Sequence, residues 1–155
     1  MKQHLIKIII SFIAVLTVGV IVYQLMRPHQ AESEGVIYLL IQDEDNQILY
    51  DGEIPFFEGD TFYDLLDREF LLLCATQTYQ VDDTCSYTFN TFIYQGKVIL
   101  GISGDDFELL TDWNNTFIAF EVLFNDAYVL STQGPSHMAY KDQDHFRISV
   151  RRVSG

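Results

Sequence analysis

The residues in this chain that could do chemistry are few and poorly spaced for it. His137 and His145 stand eight apart on either side of an expected turn. A histidine pair at that spacing is seldom metal-ligating, so surface histidines are the plainer reading. Gly101-Ile102-Ser103-Gly104 falls one residue short of a nucleophile elbow, and no HExxH, CxxC or phosphate loop occurs. Asp43, Glu44, Asp45 and Asn46 gather oxygens that a hard cation would want, without the Gly and distal Glu of a helix-loop-helix site. An acidic hairpin turn explains them. Asp82-Asp83 and Asp105-Asp106 read likewise as solvated turns, since paired acids cleave glycosides only at about 5 to 10 Å separation. Asn114-Asn115-Thr116 is a glycosylation acceptor only in a eukaryotic secretory pathway. The expectation is a non-catalytic protein with no metal and no cofactor.

Two features remain. Cys74 and Cys85 enclose ten residues and allow a single pairing, which in an oxidising compartment would stabilise the fold by roughly 3 kcal/mol. Two free thiols, one after a helix and one on a strand, are the alternative. The second is aromatic content: 12 Phe, 9 Tyr and one Trp, most of which a small β core would absorb. Trp113 stands apart in the polar stretch Thr111 to Asn115, where periodicity demands no large ring. It reads as a contact or a packing lid.

The elements that position these residues begin with an uncharged apolar run over 8–26. As a helix it spans about 28 Å, close to the hydrocarbon thickness of a bilayer. Lys2 and Lys7 precede it, and all 22 acidic residues come after it. The positive-inside rule then places the N-terminus in the cytoplasm and the rest outside a cell membrane crossed once, although Arg27 weakens the bias. A cleaved signal peptide is the alternative. It has an apolar core of roughly 7 to 15 residues and a small-residue site, whereas this run is longer and Gln24 to His29 holds no small-x-small pattern. The segments are therefore an anchor over 1–27, a polar linker over 28–35 and one extracytoplasmic domain over 36–155.

The chain beyond the anchor, linker and domain together, carries 6 basic residues against 22 acids, a net charge near −16. That balance argues against nucleic acid and against anionic lipid or cell-wall polymer as a passive partner. Val36 to Gln42 and Ile48 to Phe57 read as a hairpin. Thr61 with Asp64 resembles a capping box, opening a helix whose apolar face is Phe62, Leu65, Leu66, Phe70 and Leu73. Further strands are expected over Ser86 to Tyr94, Lys97 to Ser103, Thr116 to Phe124, Ala127 to Thr132 and His145 to Val153. A hairpin, a packed helix and more strands make an α+β domain, with a β-grasp-like mixed sheet as its natural architecture.

In that order the landmarks resemble those of the DUF4430 family, the transcobalamin-like C-terminal domain of bacterial surface proteins and vertebrate cobalamin carriers. Gly59 to Leu66 (GDTFYDLL) is similar to the family's helix start, and Gly96 to Gly104 (GKVILGISG) to its glycine-flanked strand. Asp112 to Val122 (DWNNTFIAFEV) resembles its Trp and aromatic strand, and Tyr128 to Val150 its closing hairpin. Two loops depart. The aromatic strand runs on through Leu123-Phe124-Asn125-Asp126 where the family has Asn-Gly, and Gln143-Asp144 replaces a closing Gly-Asp.

The resemblance implies binding. In the cobalamin carriers such a domain covers one face of the corrinoid, so cobalamin or another small molecule is the expected ligand, shared with a membrane partner such as an uptake transporter. Trp113, Phe117, Tyr128 and the loop Gly134-Pro135-Ser136 are the expected contacts. The other expectation is a surface protein that docks to another protein and holds no small ligand.

Overall fold

The computed structural model describes residues 2–91, 95–112 and 114–153. It opens with α1 (Lys2–Met26), within which the 19 residues Ile6–Gln24 form a helix long and apolar enough to cross a membrane, with none of it buried against the rest of the protein. Thr17, polar in an apolar run, donates its hydroxyl to the Ile13 carbonyl one turn back at 2.9 Å, which satisfies it inside the helix itself. At the helix end Arg27 lies over the Tyr23 ring at 5.9 Å, an amphipathic pair suited to a membrane–water boundary.

The stretch expected to be a linker is tied down at its middle. Ala31 is buried; its N–H donates to the Asp60 carbonyl at 2.8 Å and its carbonyl accepts from the Gly59 N–H at 2.9 Å. Four residues separate Met26 from Ala31. At about 3.6 Å per residue the domain docks within roughly 20 Å of the helix end.

Beyond it the chain is mixed α+β. β1 (Gly35–Gln42) and β2 (Ile48–Phe56) form the hairpin, closed by Asp43, whose carboxylate accepts from the Asp45 and Gln47 N–H groups. Period-two alternation sends Ile37, Leu39, Ile41, Ile54 and Phe56 inward. α2 (Phe62–Glu69) starts at Thr61 with both capping-box hydrogen bonds to Asp64 present. Its Phe62, Leu65 and Leu66 are fully buried, each contributing about 1.5 to 3 kcal/mol. Phe62 centres an aromatic cluster with Phe146 (4.7 Å), Tyr140 (5.7 Å) and Phe120 (6.4 Å).

The expected helix face overreached. The helix ends at Glu69, and Leu73 belongs instead to β3 (Leu71–Ala75), which pairs with β7 (Ile99–Ser103). Spacing alone could not separate these, because Phe70 and Leu73 continue the period into a strand whose neighbour lies far along the chain. Between these two strands come β4 (Val81–Asp82), β5 (Phe89–Asn90) and β6 (Gln95–Gly96), and after them β8 (Glu108–Leu110). The strand expected over Ser86 to Tyr94 is thus two residues long, with Phe92 to Tyr94 outside the described residues. β4-β3-β7-β8 form a second sheet. It places Leu72, Cys74, Ile102 and Leu109 in the main core, and Ala75, Val98 and Leu100 in a smaller cluster with Phe89.

Cys74 and Cys85 are disulfide-bonded. Cys74 lies on β3; Cys85 lies on no strand but in a turn with φ 47°, which swings its sulfur back to the sheet. The Lys97 ammonium donates to the Cys85 carbonyl.

The chain closes with β9 (Thr116–Phe124), β10 (Ala127–Leu130) and β11 (His145–Arg152). The five-stranded sheet runs β10-β9-β11-β1-β2, with β1 and β11 parallel and every other pair antiparallel. Asn125 and Asp126 (φ 48° and 63°) form a two-residue turn between β9 and β10, so this loop is as tight as an Asn-Gly hairpin.

Candidate functional site

β9 is longer than its outer neighbour. β10 pairs only with Glu121 to Phe124, and the Ser131 N–H then reaches the Phe120 carbonyl at 2.7 Å before the chain turns away. On the inner side β11 follows β9 down to Thr116, and the Val153 N–H bonds the Asn115 carbonyl at 2.7 Å. Antiparallel ladders alternate, so odd-numbered residues here bond inward and even-numbered ones outward. Ile118 therefore turns its N–H and C=O to an edge that β10 has left. The Thr116 N–H, next along that edge, is taken by the Asp112 carboxylate at 2.9 Å.

A groove of about 160 Å³ lies there, floored by residues 117–120 and walled by Ile99 and residues 130–134. Its lining is apolar apart from Ser131, Thr132 and Gln133. The Ser131 hydroxyl donates to the Gln133 carbonyl at 3.0 Å, which holds it as a loop brace and not as a nucleophile. The site can offer one backbone donor, one backbone acceptor and an apolar floor.

Of the expected contacts, Phe117 and Gly134 meet in this groove. The other two loop residues support it from behind. Gly134 accepts from the His137 N–H at 2.9 Å, closing the loop, and Pro135 is buried. Ser136 packs against Gly96 so closely that a Cβ at Gly96, whose φ is +110°, would stand 3.2 Å from the serine side chain. Tyr128 lies elsewhere, on the outer face of the five-stranded sheet with the Arg147 guanidinium 4.5 Å from its ring centre. Partial burial pushes the Tyr128 hydroxyl up, and Arg147 opposes the shift. Trp113 lies outside the described residues. Ile99, Ile118 and Leu130 were missed, since each reads in sequence as an ordinary strand residue. The strand expected over Ala127 to Thr132 ends at Leu130, and that early end, which leaves the edge uncovered, has no signal in the sequence.

The outer sheet face also buries a carboxylate. Glu121 has no exposed surface, and accepts from Arg147 Nε at 2.6 Å, from Arg151 and from Ser149 Oγ at 3.3 Å. Two guanidiniums and a hydroxyl occupy both of its oxygens, so it braces the sheet. His145 stacks on Tyr38 at 4.4 Å, and among the described residues no group of three side chains is placed to hold a metal ion.

Comparison of the chain with protein-family models gives no match, and comparison with curated proteins gives none.

Proposed function

We propose that this is a single-pass membrane protein whose C-terminal domain, outside the cytoplasm, binds a partner and does not catalyse. The observation that carries the reading is the groove at the outer edge of β9, where two of the residues expected to touch a ligand meet over a backbone donor and acceptor that no strand among the described residues covers. The charge asymmetry of the two ends supports the orientation. The sheet order β10-β9-β11-β1-β2, with its parallel β1–β11 pair and α2 between hairpin and later strands, supports a β-grasp domain and with it kinship to the transcobalamin-like family.

The groove's size bears on what it holds. Sites that enclose a small molecule run from about 300 to 1,000 Å³. A groove near 160 Å³ grips part of a ligand, so cobalamin would sit in it half-covered and shared with a membrane protein. A protein segment alone, added along the β9 edge, uses the same backbone groups without any small molecule.

Equilibrium dialysis of the full chain in nanodiscs against cobalamin separates the two. Saturable retention that falls in Leu130→Glu, a partly exposed groove residue, establishes a corrinoid module. No retention up to about millimolar cobalamin, equivalent to only ~4 kcal/mol, removes it. A photocrosslinker at position 130 then has to yield a discrete protein product that the same probe at Glu108 does not. Neither result would leave the groove without a ligand and defeat the proposal.

A further inference from the structure

A second cleft, of about 360 Å³, shares no residue with the groove and opens between the start of β2, the end of α2 and the turn joining β7 to β8. One wall is aromatic. Tyr50 meets Phe70 edge to face at 5.1 Å and 90°, Phe70 meets Phe107 at 5.9 Å and 63°, and Tyr50 meets Phe107 at 6.4 Å and 46°. The three rings pack on one another as a single aromatic wall, in which Phe70 is buried and Tyr50 and Phe107 are partly exposed to the cleft. Its volume falls within the range of ligand sites.

The mouth is anionic. Glu69, Asp105 and Asp106 line the cleft and are exposed. None of the ion pairs among the described residues reaches them: Arg68 is paired with Asp60, Arg147 and Arg151 with Glu121, and Arg152 with Glu44. In a turn alone these carboxylates would be ordinary solvated acids. Set beside an aromatic wall, they supply the field that draws a cation to ring faces already negative by their quadrupole. The Tyr50 hydroxyl responds to the same surroundings, pushed up by burial and then by Glu69 and Asp51.

The turn that carries the acids is preorganised. The Gly104 N–H bonds the Phe107 carbonyl at 3.1 Å, which puts Asp105 and Asp106 at its tip. A Cβ on Gly104 would lie 2.6 Å from the Phe107 ring, so only glycine lets that ring fold back as a wall.

We infer that this cleft is a docking site for an arginine side chain of a partner protein, its guanidinium laid against the partly exposed Tyr50 or Phe107 ring and its N–H groups directed to Glu69, Asp105 and Asp106. Guanidinium fits better than ammonium for two reasons. It is flat, so it stacks on a ring while its edge donates to carboxylates, and it is weakly hydrated, so an aromatic wall desolvates it at smaller cost. The inference is independent of what fills the β9 groove, because the two clefts share no residue.

The test is a titration of the full chain in detergent micelles with the tripeptide N-acetyl-Gly-Arg-Gly-amide, followed by chemical shifts of the Tyr50, Phe70 and Phe107 rings. The expected result is saturable shifts, weaker with lysine in place of arginine and absent with glutamate. Raising ionic strength from about 0.1 M to about 1 M, which shortens the Debye length from about 10 Å to about 3 Å, should weaken binding. Asp105→Asn with Asp106→Asn is near-isosteric and exposed, so it preserves the fold, which unchanged core shifts will verify; binding should fall about tenfold. Leu130→Glu should leave it unchanged. Ring shifts that do not saturate, or an Asn double variant that binds as tightly as the parent, would overturn the inference while leaving the groove untouched.

Discussion

Glu121 and Arg147 stand directly opposite each other on β9 and β11, and their side chains meet at 2.6 Å with the carboxylate wholly buried. Arg151 reaches the second carboxylate oxygen from the next outward-facing pair but one, so one buried anion ties two positions of β11 to β9. β11 is the central strand of the five, and its other edge carries the parallel pairing with β1. The triad therefore braces the sheet on the face that α2 does not cover.

Glu121→Ala should lower stability by about 3 to 5 kcal/mol, because it leaves guanidiniums beside a hole without their counterion. Replacing Glu121, Arg147 and Arg151 together by Leu, Met and Met should restore most of that loss. Urea melts of the full chain, read by circular dichroism, check both.

The Ala31 clamp predicts that a fragment beginning at Val36 is less stable than one beginning at Gln30 by about 1 to 3 kcal/mol, the worth of two hydrogen bonds and a buried methyl. Equal midpoints would show that the segment before β1 is a passive tether.

Reduction of Cys74–Cys85 should cost about 2 to 4 kcal/mol, since the bond closes a short loop between β3 and the Asp82 turn. A reductant should lower the melting temperature of the parent and leave that of Cys74→Ala with Cys85→Ala where it is.

Acid should destabilise the domain through two exposed carboxylates. Asp82 accepts from the hydroxyls and N–H groups of Thr84 and Ser86, and Asp112 from Asn115 and Thr116. These hydrogen bonds hold both acids well below their ordinary value of 3.8. A lowered folded-state pKa contributes stability above the unfolded value that is lost as pH falls below it. Melting temperature should stay level from neutral pH to about 5 and fall below about 4, less steeply in Asp82→Asn and Asp112→Asn.

Much of the skeleton was legible in the chain because its signals are local. An uncharged, largely apolar run over 8–26, a Thr-x-x-Asp cap before an amphipathic turn, and the β-branched and aromatic residues of β1 need no distant partner to be read. The misses are non-local. Phe70 and Leu73 kept helical spacing, yet Phe70 adopts extended angles (φ −134°, ψ 156°) and Leu73 joins β3, where β7 supplies ladder hydrogen bonds that a further helical turn could not match. The expected Cys74–Cys85 pairing needs only the cysteine count to be named, whereas the left-handed backbone at Cys85 (φ 47°) that accompanies it carries no local signal.

The sequence by itself determined the apolar helix, the acidic balance of the chain beyond it and the α+β order of elements, since each depends on residue type and short spacing. Only the tertiary structure decided where ligands can be met. The groove exists because β10 stops four residues into pairing with β9, and the aromatic cleft because β2, α2 and the Gly104 turn bring Tyr50, Phe70 and Phe107 together. Strand ends and the convergence of distant loops arise from how the whole chain packs, and no short window of residues records that.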